Sequence, residues 1–159
     1  FLILTAARSG EVRLATWNEI DLEKGVWTIP ADRMKASREH IVPLSRATMT
    51  ILKHLDQART SDIVFPSAHR GTSLSDMTLT KALRDMKAVN ANGAAITVHG
   101  FRSTFSDWAR NETHFPRELI EESLAHSLGK VEAAYRRGAA IERRRELMET
   151  WRTACQSQG

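Results

Sequence analysis

The sequence predicts an α+β fold: one mostly helical domain with a small three-stranded antiparallel sheet near its N-terminus. Three observations predict it. The chain has 159 residues, 42% hydrophobic and 26% charged, which suits a single domain with its own core and no metal or disulfide staple. Between Trp17 and Leu44, three short runs of strand-forming residues alternate with turn residues. From Ser45 onward the apolar residues recur at helical spacing instead.

The elements follow in order. The opening F-L-I-L-T-A-A segment reads as helix and breaks at Arg8-Ser9-Gly10. Ser9 is placed to cap a short helix from about Gly10 to Ala15, with Glu11 in the first turn, where a carboxylate suits the dipole. W-N-E-I-D-L is the first strand and a Lys24-Gly25 turn leads to V-W-T-I-P. The polar loop A-D-R-M-K-A-S-R-E then precedes H-I-V-P-L, the third strand. Ile51, Leu52, Leu55 and Ala58 mark a helix ended by D-I-V-F-P, and Ser75 opens another carrying Leu79, Leu83 and Met86. V-N-A-N-G-A-A is a loop. H-G-F-R-S-T-F-S-D-W-A-R begins a helix expected to bury Phe101, Phe105, Trp108 and Ala109. Pro116 suits the first turn of the next helix. A loop at Ser127 to Gly129 leads into a helix bearing Tyr135. Gly138 interrupts, and an amphipathic helix with Ile141, Met148 and Trp151 closes the chain.

Composition limits the function classes. One cysteine, Cys155, cannot form an internal disulfide, and the chain fits a reducing cytoplasm. No apolar run is long enough to span a membrane and no signal peptide is visible. The first residues lack an initiator Met and begin in mid-element, so they read as the exposed end of a longer chain. Net charge is +4, with Arg136, Arg137, Arg143, Arg144 and Arg145 crowded near the end. That crowding suits either a polyanionic partner or a solvated helix surface.

Several chemistries lack their motifs. There is no glycine-rich phosphate loop, no G-x-S-x-G elbow, and no H-E-x-x-H or Cys/His ligand set. Glu118, Glu121 and Glu122 fit a wetted helix face better than a magnesium site. What remains is a scattered set of Arg, Lys and His residues with the one tyrosine of the chain, Tyr135. His99 and Arg102, three apart at a helix start, project from one face beside free N–H groups, which suits a phosphate. Arg8 can either satisfy helix-end carbonyls or, braced by Glu11, grip phosphate oxygens with its planar fork. Lys35 sits in the polar loop with Arg33 and Arg38, either solvated or reaching into a groove to donate a proton. His126 can cap a helix end, and a lone tyrosine more often packs a core than attacks a substrate.

Taken together, the order Arg8, Lys35, His99-x-x-Arg102, His126 and Tyr135 resembles the catalytic domain of the tyrosine recombinases, the phage-integrase family. T-A-A-R-S-G-E-V-R-L-A-T-W-N-E-I-D resembles the family's first arginine box, and W-T-I-P-A-D-R-M-K its β-hairpin lysine. H-G-F-R-S-T-F is similar to the H-x-x-R box; L-A-H and, nine residues on, Y-R-R are similar to the final histidine and tyrosine boxes. The wording is closest to prophage and genomic-island integrases of the satellite-phage type, and the resemblance runs from Arg8 to the last helix. Two positions depart from it: Ala125 stands where many members have glycine, and Phe101 where leucine is common.

The resemblance implies the tyrosine recombinase catalytic-domain fold, spanning residues 1–159 as the C-terminal part of a longer integrase. It implies site-specific cleavage and rejoining of double-stranded DNA at attachment sites through a 3′-phosphotyrosine on Tyr135, with no metal or other cofactor. Arg8 and Arg102 would hold the phosphate, and Lys35 would protonate the departing 5′-oxygen. His99 would act in proton transfer from the tyrosine, His126 would hydrogen-bond the phosphate, and Glu11 would orient Arg8. The full-length protein would assemble as a tetramer on DNA; the chain alone would be monomeric or weakly associating, with salt-sensitive DNA binding. The tail after Gly138 would pack on its own core or on a neighbouring protomer. A type IB topoisomerase-like enzyme, a catalytically inactive DNA-binding relative and a helical interaction module with no nucleic-acid role are the rival readings.

Overall fold

Among the described residues, three strands and seven helices divide between two cores that meet near the N-terminus. The structure, a computed structural model, describes residues 1–68, 71–126 and 137–157, the side chains of 137–139 excepted. Helices α1 (Leu2–Thr5) and α2 (Ser9–Arg13) precede a 3-10 turn over Trp17–Glu19. Strands β1 (Ile20–Asp21), β2 (Val26–Ile29) and β3 (His40–Pro43) pair antiparallel in the order β1-β2-β3, with a 3-10 turn over Ala31–Arg33 in the loop between the last two. Helices α3 (Arg46–Gln57), α4 (Thr78–Asp85), α5 (Gly100–Glu112), α6 (Arg117–Ser123) and α7 (Arg137–Gln156) follow.

The first core lies under the sheet. Along β2, Trp27 and Ile29 are fully buried while Val26 and Thr28 are half-buried, the period of two expected of a strand with one face inward. Val12, Ala15, Met34, Val42, Leu52 and Val64 are among the residues packed with them. Phe1 meets Trp27 edge to face with ring centroids 5.4 Å apart; such a pair adds about 1 kcal/mol beyond its buried area. The second core joins α5, α6 and α7 through Phe105, Ala109, Ile120, Leu124, Leu147, Met148 and Trp151. Trp151 also donates from Nε1 to the Ile3 carbonyl at 2.8 Å, so α7 closes on the N-terminal helix of its own chain. Ala6 packs into the second core and Ala7 into the first. Arg8 therefore leaves the chain at the seam.

Five expectations need correction. Ser9 does not cap α2; Arg8 does, because the Glu11 carboxylate accepts its backbone N–H at 2.8 Å and the helix starts one residue early. The first strand is only Ile20–Asp21, since Trp17–Glu19 coils as a 3-10 turn that brings Glu19 inward to Trp27. Phe101 and Trp108 are half-buried rather than core. Helix α4 begins at Thr78, not Ser75, and buries none of its residues, and Met86 is 74% exposed. Gly138 does not break the last helix, for α7 begins at Arg137 and runs through it.

Of the basic residues crowded near the end, Arg136 and the side chain of Arg137 lie outside the described residues, and the trio Arg143, Arg144 and Arg145 resolves. Arg144, only 3% exposed, donates to the Ile41 carbonyl of β3 and pairs with Glu122 of α6. Arg145 donates to the carbonyls of Gly25 at 2.8 Å and Lys24 at 3.0 Å. These two cations fasten α7 to the sheet, and only Arg143 of the trio is exposed.

Candidate active site

A cleft of about 600 Å³ opens at the seam between the cores, and its lining includes Arg8, Glu11, Lys35, His99 and Arg102. They arrive from four places: α2, the loop between β2 and β3, the start of α5, and its first turn. Ser9, Asp32 and Arg33 complete the polar side of the lining.

Glu11 has both carboxylate oxygens on Arg8. Oε2 accepts the Arg8 backbone N–H and Oε1 accepts Nη1 at 2.7 Å. The carboxylate is 6% exposed against 31% for Arg8, so the pair holds a guanidinium at the cleft edge from a buried, fixed support. Its geometry leaves donors of the fork available to an anion.

Arg102 is held differently. Its Nη2 donates to the Leu124 carbonyl at 2.7 Å and its Nη1 to the Ala6 carbonyl. Ala6 and Leu124 are the C-caps of α1 and α6, so one cation satisfies carbonyls at the negative ends of two helices. Burial, and then the neighbouring Arg8 charge, lower its pKa to about 10. It stays charged at neutral pH, beside a second guanidinium.

His99 occupies the N-cap position of α5 but its ring does not cap the helix. Thr97 does so, its Oγ1 accepting the Gly100 N–H at 3.0 Å. A Cβ at Gly100 would come within 3.1 Å of that oxygen, which explains a small residue between His99 and Phe101. The exposed His99 ring and the helix N-terminus thus face the same cleft. Lys35 is exposed and follows the buried Met34.

His126 is not in the cleft lining. It stands just past α6, half-exposed, with Nδ1 2.7 Å from Glu121 Oε2. Burial raises the Glu121 carboxyl, but hydrogen bonds from His126 and Arg110 outweigh it and hold the group below the usual range. His126 and Ala125 close a Schellman motif: the His126 N–H donates to the Glu121 carbonyl at 2.9 Å and the Ala125 N–H to that of Glu122 at 3.0 Å. Ala125 accordingly has φ 50°, a left-handed conformation that favours glycine. The departure noted at this position therefore has a conformational cost. Tyr135 lies outside the described residues.

One group was not singled out from the sequence. His40, at the start of β3, is buried and held near Arg144, Arg102 and Arg8. Desolvation first, and then those three cations, lower its pKa to about 3, against a hydrogen bond with the Ser123 backbone. It is neutral at any working pH. Among the described residues no group of three or more His, Cys, Asp or Glu side chains is placed to hold a metal ion, and no helix is long and apolar enough to cross a membrane.

Comparison with known proteins gives consistent results. The sequence pattern of the phage integrase family matches residues 1–140. Prophage integrase IntZ of Escherichia coli K12 is 35% identical across 98% of this chain and 38% of its own length. Prophage integrase IntA of the same organism is 38% identical across 94% of the chain and 36% of its own length. The integrase of Enterobacteria phage P4 is 34% identical over 94% and 37%. The chain thus spans well under half of each. Among solved structures, XerA recombinase superposes with a TM-score of 0.66 at 18% identity, over 89% of this chain and 53% of that one. The Tn1549 transposon integrase, in complex with a circular intermediate DNA, gives 0.65 at 13% identity, over 92% and 51%. These two show the fold.

Proposed function

The chain belongs to the phage integrase family, and from that premise we propose that it is the catalytic domain of a site-specific DNA recombinase that breaks and rejoins strands through Tyr135. The observation that most supports this is the cleft at the seam, where Arg8 and Arg102 stand side by side with Lys35 and His99 around them. The Glu11 carboxylate offsets one of the two neighbouring guanidinium charges, and the positive charge left over suits a singly charged phosphodiester.

In this reading Arg8 and Arg102 hold the non-bridging oxygens and meet the charge that grows on them in the transition state. The Tyr135 hydroxyl attacks phosphorus, passing its proton toward His99. A P–O bond to tyrosine forms, the bond to the 5′-oxygen breaks, and Lys35 gives that oxygen its proton. A free tyrosine titrates near 10, so a cationic surround helps its hydroxyl ionise. His126, with Nδ1 fixed on Glu121, has Nε2 left for the phosphate. The 3′-phosphotyrosine keeps the bond energy, so resealing to a second strand needs no ATP. The positive charge comes from the protein's own guanidiniums, and no metal is assigned a step.

The chain covers 36–38% of the length of the three relatives above. We assign residues 1–159 to the C-terminal catalytic part of an integrase whose remaining length clamps double-stranded DNA and which works as a tetramer at its attachment sites, in the bacterial cytoplasm. The chain alone would be monomeric or weakly associating. The test is an SDS-resistant protein–DNA adduct on a nicked attachment-site substrate; an adduct whose DNA is joined elsewhere than Tyr135 would overturn the assignment.

A further inference from the structure

We propose that Arg33 is a positioning residue for Lys35, with Glu19 as its anchor; this rests on the role given to Lys35 above. Arg33 ends the 3-10 turn that leaves β2, two residues before Lys35. Its side chain folds back instead of facing solvent and is 17% exposed. Nη2 donates to the Glu11 carbonyl at 2.5 Å, and Nη1 pairs with Glu19 Oε1. Glu19 is itself committed on its second oxygen, where Oε2 accepts from Trp27 Nε1 at 2.9 Å. Trp27 is fully buried in β2.

A continuous path of polar contacts results. It runs from the sheet core at Trp27 through Glu19 and Arg33 to the Glu11 carbonyl, and Glu11 ends it on Arg8. The two cations assigned to the phosphate and to the leaving oxygen are thereby referred to one rigid frame. Past Arg33, Met34 is buried in the first core. The Ser37 N–H then closes a turn onto the Met34 carbonyl at 2.9 Å, with Ser37 at φ 48°. Lys35 thus leaves the chain within a short bridge between fixed points. A lysine stem is flexible, so what the fold can set is where its Cα stands. A general acid has to come within about 3 Å of the oxygen it protonates.

The planar fork is essential, because one end must hold a carbonyl and the other a carboxylate. Arg33→Lys keeps the charge and loses the fork. A double variant, Arg33→Met with Glu19→Gln, removes both charges together, so no buried carboxylate is left alone.

The test uses the intact integrase carrying this chain and two nicked attachment-site substrates, differing at one bridging atom. In one the leaving atom is the ordinary 5′-oxygen; in the other it is sulfur, which departs as a thiolate and needs no proton donor. On the oxygen substrate, Arg33→Lys and the double variant should cleave at least about 10-fold more slowly, Lys35→Ala about 100-fold or more. On the sulfur substrate all three should return to within about 3-fold of the parent, while Arg8→Lys should not. A purely structural role for Arg33 would slow both substrates alike. Parental cleavage of the oxygen substrate by Arg33→Lys and the double variant, or their failure to recover on sulfur while Lys35→Ala recovers, overturns the proposal and leaves the role of Lys35 intact. Failure of Lys35→Ala itself to recover removes that role, and this inference with it.

Discussion

Replacing His40 by glutamine puts a number on the electrostatics beneath the cleft. In the fold the imidazole is buried near Arg144, Arg102 and Arg8, and its pKa falls to about 3; in the unfolded chain it stays near 6.5. Between those values the unfolded state takes up a proton that the folded state refuses, so stability drops as pH falls. The loss is about 1.4 kcal/mol for each pH unit below 6.5 and levels off below 3, which gives about 2–3 kcal/mol between pH 7 and pH 4.5. Other groups titrate over that range, so the difference between parent and variant is the quantity to read. Urea unfolding followed by tryptophan fluorescence at pH 7, 5.5 and 4.5 supplies it. His40→Gln should be less stable than the parent at pH 7, with the gap narrowing or reversing by about 2–3 kcal/mol at pH 4.5. A gap that stays constant across pH would show that His40 titrates normally in the fold, and would refute the account of a cationic, desolvated floor.

Three further outcomes follow from the geometry. Glu11→Ala removes the acceptor of two Arg8 hydrogen bonds and should cost about 2 kcal/mol in urea unfolding, with cleavage falling further than stability explains. Ala125→Gly relieves a left-handed backbone at the turn before His126 and should add up to about 1 kcal/mol, read as a rise of about 2–4 °C in Tm; no rise, or a fall, would count against the Schellman geometry. Arg144→Ala strips a buried carbonyl of its donor and should cost about 2–3 kcal/mol, whereas the exposed Arg143→Ala should stay within about 0.5 kcal/mol. Equal effects of the two would restore the view of this cluster as a solvated face.

What could be read in advance depended on whether a signal was local. The helix at His99-x-x-Arg102 announces itself by apolar spacing, and the Arg8–Glu11 pair by a separation of three at a helix start. The sheet was legible from its turn residues. Contacts between distant segments were not. His40 merely opens the strand run H-I-V-P-L, and only the packing of α6 and α7 over β3 makes it a buried group among cations. Arg144 and Arg145 looked like surface charge because helix periodicity shows which face a residue is on and not what covers that face. The same limit applies to α4, whose spacing promises a buried stripe that no core meets. At Ser9 a favourable cap was outcompeted by the Glu11 carboxylate reaching the Arg8 amide. The cost of Ala125 is conformational, and a left-handed φ is visible only in the fold.

The central proposal is that Tyr135 attacks DNA bound at a cleft whose positive charge takes the place of a metal. The most direct measurement incubates the intact integrase with a nicked attachment-site duplex, in EDTA and in magnesium, and looks for an SDS-resistant adduct mapped by peptide sequencing. The account predicts equal adduct in both buffers, joined at Tyr135, absent in Tyr135→Phe, and resolved when a second strand with a free 5′-hydroxyl is added. An adduct that survives in Tyr135→Phe, or forms only with divalent metal, would contradict it.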